Sequence, residues 1–453
     1  MNAREFEKKY KLSLDNMRSS ISAFAPESNA ALNNIAGKPK KLIVEIFKRF
    51  FSNWVAVVSL FVFLTIFIMS IVITTSAKYS STEPLYKTLD FKYNVADNLS
   101  TPDWQTITAS QDVTNLPPVF SPWYNPEGNI SNFEKLTEQW SNPNYYGGAL
   151  WKLIYFGENN TNNYIKLETL TPTTNRLLVN AYAFYKVKNI EIILNKLVEA
   201  RHLSTDMTLA EANSLIKQIE AWNPQLNLST YLGTNARGID IWTLSWVGTW
   251  QAIRLAIIVA TIQTLIGVAI GAYLGFHVGS FIDTAIMRLI DIFVAPPTLI
   301  WLLIFAATFG TTDLTLALAL IFVGWVGSVG STRLFVITVK DQEFITASKS
   351  VGASKARLIY KHALPAIIGK ISTSYVASIP SIILSVSSLA FLGFFKSDSA
   401  NLGAILSNAA AQAGNNPFIL VLPAMILLLI SVSLHFVALG VHDALDPKVI
   451  RAK

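Results

Sequence analysis

Six long apolar stretches constrain this chain more than any other feature of its sequence. Each approaches the roughly 20 residues that an α-helix needs to cross a hydrocarbon core about 30 Å thick. Only 14% of the 453 residues are charged, against about 25% in an average soluble domain. The sequence therefore predicts an all-α membrane protein with six spans: Trp54–Thr75, Leu255–Leu274, Ile292–Phe309, Leu314–Thr332, Ile371–Ala390 and Phe418–Val441.

The positions of Lys and Arg predict which loops are cytoplasmic, because short positively charged loops resist translocation. Ten of these residues precede the first span, seven lie between Arg333 and Lys370, and three lie in the tail at 448–453. The short loops on the opposite side contain one, Lys396. We therefore expect both termini in the cytoplasm. The first apolar run begins too late for a cleavable signal, so it is expected to anchor the chain in a cell membrane.

Residues 76–230, between the first two spans, are long enough to form a separate extracellular domain with α+β structure. The thirteen Lys and Arg between residues 76 and 246 do not oppose this location, because long domains translocate largely regardless of charge. Apolar residues recur at helical spacing over Asn189–Arg201, and Thr208 with Glu211 has the form of a capping box. These patterns predict two helices. An inert spacer is the alternative for the segment as a whole.

A basic segment between the fourth and fifth spans has the most specific pattern in the chain. An amphipathic helix is expected near residues 341–358. Gly352 would allow a turn or a close backbone approach, and Pro365 would mark the start of the fifth span. The helix could pack against another protein, or it could lie on an anionic leaflet through its basic residues. One face collects four apolar side chains: Phe344, Ala347, Val351 and Leu358.

This segment resembles the EAA signature of the permeases of bacterial ABC importers. In that signature an acidic residue and small residues precede a glycine, and a Leu-Pro pair follows. The resemblance implies that the short helix inserts into a cytoplasmic ATP-binding subunit and couples its closure to movement of the membrane helices. The positions to which this role is assigned are Glu343, Ala347, Gly352, Ala353, Leu364 and Pro365.

Further blocks resemble the permeases of peptide importers. The stretch from Leu232 to Ile241 is similar to a Leu-Gly-Thr-Asp-x-x-Gly-Arg-Asp motif, from which Asn235 and Ile239 depart. Residues 281–297 are similar to the second cytoplasmic loop and third span of the family. The ending at residues 440–447 is similar to the C-type subunit of oligopeptide and dipeptide systems. Together these blocks cover residues 231–453, where the resemblance implies a permease core with the type I fold.

The resemblance also implies partners and a mechanism. A second homologous permease and two cytoplasmic ATP-binding subunits would complete the transporter, and an external binding protein would deliver oligopeptides or dipeptides for uptake by alternating access. Membrane lipid is expected around the chain, and no nucleic acid is expected to bind. Relatives with these motifs import nickel or glutathione, which leaves those solutes as alternatives. A multi-pass receptor with a sensing ectodomain is the alternative from another class.

No enzyme site is visible in the sequence. A phosphate-binding loop requires Gly-Lys followed by Ser or Thr. Here Gly37-Lys38 is followed by Pro and Gly369-Lys370 by Ile. We therefore expect the chain to bind no cofactor or metal, with ATP and magnesium held by the partner subunits.

Small and polar residues within the spans are candidates for packing or for the translocation path. Glycines at every fourth position predict close helix packing, with a substrate groove as the alternative. They are Gly267, Gly271, Gly275 and Gly279. Hydroxyls in the fifth span could line a path or bond their own helix. The path candidates are Ser378, Ser381 and Ser385. Arg254 and Asp291 are expected near the membrane interfaces, whereas His435 lies deeper and is expected to be a hydrogen-bonded packing residue, with a proton relay as the alternative.

Overall fold

A computed structural model describes residues 42–96, 101–126, 130–157, 164–171, 174–394, 401–414 and 416–445. The strands within these ranges are β1 (Asp90–Asn94), β2 (Trp104–Thr108), β3 (Trp123–Tyr124), β4 (Ile165–Thr171) and β5 (Thr174–Asn180). The helices up to the second predicted span are α1 (Leu42–Ser52), α2 (Trp54–Thr75), α3 (Leu85–Thr88), α4 (Ile130–Ser141), α5 (Ala149–Phe156), α6 (Ala181–Arg201) and α7 (Leu209–Trp222). The later helices are α8 (Ile241–Phe276), α9 (Phe281–Val294), α10 (Thr298–Phe309), α11 (Asp313–Val339), α12 (Glu343–Ser350), α13 (Lys355–Gly393), α14 (Leu402–Gln412) and α15 (Phe418–Leu445).

Five helices in the described part of the chain are long and apolar enough to cross a membrane: α2, α8, α11, α13 and α15. Helices α9 and α10 together can make a sixth span. The first predicted span coincides with α2, which has 22 residues. At 1.5 Å per residue this gives about 33 Å, enough for the hydrocarbon core. The structure therefore contains the multi-pass helical bundle that the apolar runs predict.

The third predicted span, Ile292–Phe309, is not one straight helix. Its first residues belong to α9, and α10 follows after a bend of 77°. Pro296 and Pro297 lie at the bend, where Pro297 has an extended ψ of 137°. Proline lacks the N–H that a continuing helix would donate, and it disfavours the helical conformation in the residue before it. Helix α10 has 12 residues, about 18 Å, so it cannot cross the hydrocarbon core alone.

Helix α13 begins at Lys355, well before the predicted start of the fifth span at Ile371. Pro365 lies in the first turn of the α-helical stretch Leu364–Leu389, as expected for the entry to the fifth span, but the helix as a whole continues back to Lys355. A wider π-helical turn over Leu358–Ala363 precedes Pro365, in which the Leu364 N–H donates to the Ile359 carbonyl. One extra residue in the turn makes room for the ring and for its missing N–H donor.

The segment between α2 and α8, called the insert below, contains both helices and small sheets. Strands β1 and β2 form an antiparallel pair, and β3, β5 and β4 form a second antiparallel sheet in that order. Helices α6 and α7 are the two that the apolar spacing predicts, and Thr208 with Glu211 closes the capping box at the start of α7. The insert has its own apolar core, in which Trp140, Tyr146 and Ile193 are fully buried. The domain boundaries at residues 76 and 230 stay a prediction.

Candidate coupling site and membrane path

Gly352 ends helix α12 and turns the chain toward α13. Its φ of +86° lies in the left-handed region, which costs residues with a side chain about 1–2 kcal/mol. The Gly352 N–H donates to the Lys349 carbonyl at 3.0 Å, and the Ala353 N–H donates to the Ser348 carbonyl at 3.1 Å. These two bonds are the Schellman pattern that closes a helix C-terminus. A Cβ at Gly352 would meet no atom within 4 Å, so the turn requires this glycine for its backbone angle and not for a close approach.

The turn leaves an apolar face of α12 exposed. Phe344, Ala347 and Val351 are all exposed, and Val351 has 89% of its surface accessible. The expectation that Leu358 shares this face is wrong, because Leu358 is buried together with Ile345. Leu358 follows the reversal at Gly352 and therefore belongs to the next helix.

The remaining residues assigned to coupling divide between surface and core. Glu343 is exposed in the first turn of α12, where a negative charge interacts favourably with the helix dipole. Ala353 and Leu364 are half-buried against the cluster formed by Ile345, Leu358 and neighbouring side chains of α8 and α11, whereas Pro365 is exposed. The segment from Glu343 to Pro365, called the coupling segment below, thus presents one side outward and anchors the other to the bundle.

Three of the four regularly spaced glycines belong to α8, and all three lie against α11. A Cβ would lie 2.2 Å from Ser328 Cβ at Gly267, 2.5 Å from the Val329 carbonyl oxygen at Gly271, and 2.6 Å from Val336 Cβ at Gly275. Those distances are too short for any side chain, so the two helices can approach only because these residues are glycine.

Gly279 does not take part in this packing. It follows the end of α8 at Phe276, has a φ of +82°, and has no atom within 4 Å of a Cβ position. Its N–H donates to Asp283 Oδ2 at 3.0 Å. The fourth step of the glycine spacing therefore belongs to a loop and not to the helix face.

The three serines proposed for the path lie on α13 with different exposure. Ser381 is exposed, whereas Ser378 and Ser385 are half-buried. Each hydroxyl donates to a carbonyl of its own helix, with oxygen–oxygen distances of 2.8 Å for Ser378, 3.3 Å for Ser381 and 2.9 Å for Ser385. The hydrogens are therefore used within the helix, and the lone pairs of the hydroxyl oxygens are what a passing solute could bind.

A buried ion pair joins α9 to α11, and the sequence patterns do not indicate it. Arg333 Nε and Nη2 donate to the two carboxylate oxygens of Asp283 at 2.7 and 2.8 Å. The Asp283 side chain is 4% exposed and that of Arg333 is 21% exposed. In the sequence, nothing distinguishes Arg333 from the other six Lys and Arg residues of the segment that ends at Lys370. The backbone N–H of Asp283 donates to the side chain of Ser280, which caps the start of α9.

The last part of the insert, a loop from Leu232 to Asp240, is joined to the rest of the insert by backbone hydrogen bonds and leads directly into α8. The Thr234 N–H donates to the Leu116 carbonyl at 3.0 Å, and the Asn115 N–H donates to the Asn235 carbonyl at 3.0 Å. Gly233 has a φ of +82°, and a Cβ there would lie 2.1 Å from the Leu116 carbonyl oxygen. The Leu232 carbonyl in turn accepts from Asn416 Nδ2 at 2.7 Å. One short loop thus contacts the insert and the segment between α14 and α15.

Both positions that depart from the motif have structural roles in this loop. Asn235 Oδ1 accepts from the N–H groups of Arg237 and Ile239 at 2.9 and 3.0 Å. Ile239 is buried in the main core. Asp240 caps α8 by accepting from the Thr243 N–H at 2.8 Å. Burial raises the pKa of Asp240, and the hydrogen bonds from Thr243 oppose that rise.

The ionisable residues expected in or near the spans are exposed on the chain. Arg254 Nη2 lies 3.5 Å from Asp313 Oδ2, and Asp291 Oδ2 lies 3.4 Å from Arg288 Nη1. His435 is exposed, with its ring centre 5.9 Å from that of Phe436. The hydrogen-bonded packing role expected of His435 stays a prediction.

Comparison with known proteins decides the family. Residues 267–451 match the family described as binding-protein-dependent transport system inner membrane component, and residues 41–118 match the N-terminal TM domain of oligopeptide transport permease C. The oligopeptide transport system permease protein OppC of Mycoplasma pneumoniae is 36% identical over 269 residues, which are 57% of this chain and 69% of that protein. The chain belongs to the oligopeptide transport permease C family.

Two further relatives match shorter parts of the chain. OppC of Mycoplasma genitalium is 37% identical over 231 residues, 50% of this chain and 61% of that protein. The dipeptide transport system permease protein DppC of Lactococcus lactis is 29% identical over 168 residues, 37% of this chain and 49% of that protein. The resemblance in the sequence is expected to begin at residue 231, but the permease C match covers residues 41–118, so the likeness also includes the first span and the start of the insert. It includes Asn115 and Leu116, which bond to the loop at Thr234 and Asn235.

Proposed function

We propose that this chain is a membrane-spanning subunit of an ATP-driven importer that takes up oligopeptides or dipeptides. The observation that supports this most directly is membership of the permease C family, whose relatives bear the names of oligopeptide and dipeptide transport permeases. The bundle of five long apolar helices and one bent pair fits a subunit that forms half of a translocation path. A second homologous permease would supply the other half.

The exposed side of the coupling segment is the proposed attachment point for an ATP-binding subunit. Phe344 and Ala347 on the eight-residue helix α12, with Val351 directly after it, present apolar surface in a segment too short to span a membrane. Exposed apolar residues grouped in this way indicate a surface that binds a partner. The inner side, with Ile345 and Leu358, packs against α8 and α11. Movement of the partner would therefore be passed to both helices, while ATP and magnesium stay on the partner.

The exposed face of α13 is the proposed part of the path in this subunit. Ser381 lies on that face, and Ser385 is one helical turn further on. We expect alternating access, in which closure of two ATP-binding subunits rocks the two permeases around a central path. A bulky residue at Ser381 should then block uptake without lowering the amount of protein in the membrane.

The insert is proposed to lie outside the cell as an α+β domain, with both chain termini in the cytoplasm. An external binding protein that releases peptide into the path would dock on that side, so we propose that the insert takes part in docking or in guiding peptide. Deletion of residues 100–220 should therefore reduce uptake. Normal transport by the deleted protein would contradict this role.

Reconstitution tests the function as a whole. The chain, its partner permease and its ATP-binding subunits are placed in liposomes with the binding protein outside, and uptake of a labelled peptide is measured with ATP or a non-hydrolysable analogue. We expect uptake of the labelled peptide with ATP and no uptake with the analogue. Uptake of nickel or glutathione in place of peptide would favour those solutes, and the absence of any ATP-dependent uptake would favour a receptor.

A further inference from the structure

A large cavity lies inside the insert, outside every site considered above. Its volume is about 740 Å³, within the range of about 300–1,000 Å³ that is typical of pockets for small ligands. Helices α4 and α6, the segment before β3, and β3 with the residues that follow it supply its walls. The lining side chains used below are Asp112, Tyr124, Phe133, Lys135, Phe184 and Lys188.

Charges of both signs line this cavity. Lys135 of α4 is exposed, and Lys188 of α6 lies 3.6 Å from Glu191, which offsets part of its charge. Asp112 supplies a carboxylate whose Oδ2 accepts from Ser110 Oγ at 2.6 Å. A ligand with one cation and one anion can therefore pair both of its charges within the cavity.

Aromatic rings supply the apolar part of the lining. The ring centres of Phe133 and Phe184 are 5.9 Å apart, and Tyr124 adds a third ring. Burial, assisted by the negative charge of Asp112, raises the pKa of Tyr124 to about 12. The hydroxyl therefore remains protonated at neutral pH, as a donor without a negative charge. Rings of this kind suit an apolar side chain that packs against their surface.

We propose that this cavity binds a short peptide through its two free termini and one apolar side chain. The peptide carboxylate would meet Lys135 and Lys188, the peptide ammonium would meet Asp112, and an apolar side chain would contact Phe133 and Phe184. A simple anion would leave Asp112 unused, and a purely apolar ligand would use none of the three charged side chains. The inference rests on the proposed function, in that peptides are the cargo.

The cavity is connected to the bundle through its own wall. Asp112 and residues 114–117 line it, and within this stretch Leu116 and Asn115 form the hydrogen bonds to the loop before α8. Asp112 and Thr114 also line a second cavity of about 510 Å³, to which Arg237 of that loop contributes. A peptide in the first cavity would therefore contact the segment that fixes the start of α8.

Binding to the assembled transporter tests the proposal. The complex in lipid nanodiscs, without ATP and without the binding protein, is titrated with a tritiated tripeptide of alanine, phenylalanine and alanine. We expect saturable binding that Lys135→Gln and Asp112→Asn each weaken about tenfold, as loss of a charge-assisted hydrogen bond implies. Amidation of the peptide C-terminus should weaken binding by a similar factor. Lys196→Gln, an exposed lysine of α6 paired with Glu199, serves as the matched control and should change nothing.

Three results of this titration would overturn the proposal: no saturable binding, binding that neither cavity variant weakens, or equal affinity for the amidated peptide. A Ser381→Trp complex separates the cavity from the membrane path, because binding at the cavity persists in it and binding at the path does not. Persistence supports the proposal, and loss of binding in that complex refutes it. Since the titration needs no ATP, failed uptake in liposomes would refute the proposed function and leave this result standing.

Discussion

Replacement of Gly352 by alanine should impair coupling between ATP hydrolysis and transport without unfolding the protein. The φ of +86° costs an alanine about 1–2 kcal/mol. No atom lies within 4 Å of the new Cβ, so steric repulsion adds nothing to this cost. An energy of that size lowers the population of the closed turn by a factor of roughly 5–30. The exposed apolar face of α12 would then lose its fixed position relative to α13.

The assay compares ATP-dependent peptide uptake with ATP hydrolysis in liposomes that contain equal amounts of complex. For Gly352→Ala we expect uptake to fall about tenfold while the amount of folded subunit stays unchanged. Gly352→Asn is the informative second variant, because asparagine adopts the left-handed conformation more readily than alanine, and it should retain more uptake. Normal uptake with alanine would refute the reasoning, as would equal losses with alanine and asparagine.

Other substitutions test the packing, the ion pair and the loop before α8. Gly271→Ala should lower the stability of the purified chain by about 1–3 kcal/mol in thermal unfolding, because its Cβ would lie 2.5 Å from the backbone of α11. The control is Gly327→Ala, whose Cβ meets no atom within 4 Å and which should be neutral or stabilising. Equal losses of stability in the two variants would contradict the packing argument. Asp283→Asn should destabilise by about 3 kcal/mol, because it leaves the Arg333 charge without its buried partner; unchanged unfolding would show that the pair contributes little. Asn235→Asp should preserve stability in the same measurement, since a carboxylate oxygen can accept the same two N–H bonds, whereas Asn235→Ala should lose about 1 kcal/mol per bond.

Features that depend on local sequence could be predicted well. The length and composition of Trp54–Thr75 define a span by themselves, and the structure has a helix with the same bounds. Thr208 and Glu211 form their capping box within four consecutive residues. The spacing from Gly267 to Gly275 fixes one helix face, whatever packs against it. Each of these patterns is complete within a short stretch of chain, so no distant contact is needed to interpret it.

Features that depend on a change of direction or on distant contacts could not be predicted. Helical spacing places Leu358 on the face of Phe344 only if one helix continues through Gly352, and the reversal there breaks that phase. The pairing of Asp283 with Arg333 joins residues 50 positions apart, and nothing in either local sequence indicates the other. The same holds for the cavity in the insert, whose walls come from four separated segments.

Helix α8 has 36 residues and no break from Asp240, which caps its start, to Phe276. Its length is therefore about 54 Å. Its first residues follow the loop bonded to the insert, and its last turns pack against the side chains that hold the coupling segment. A helix of this kind behaves as a rigid rod, so a tilt of about 5° at one end displaces the other by about 5 Å. Events at the insert and at the coupling segment would then share a single moving part, because both are attached to α8.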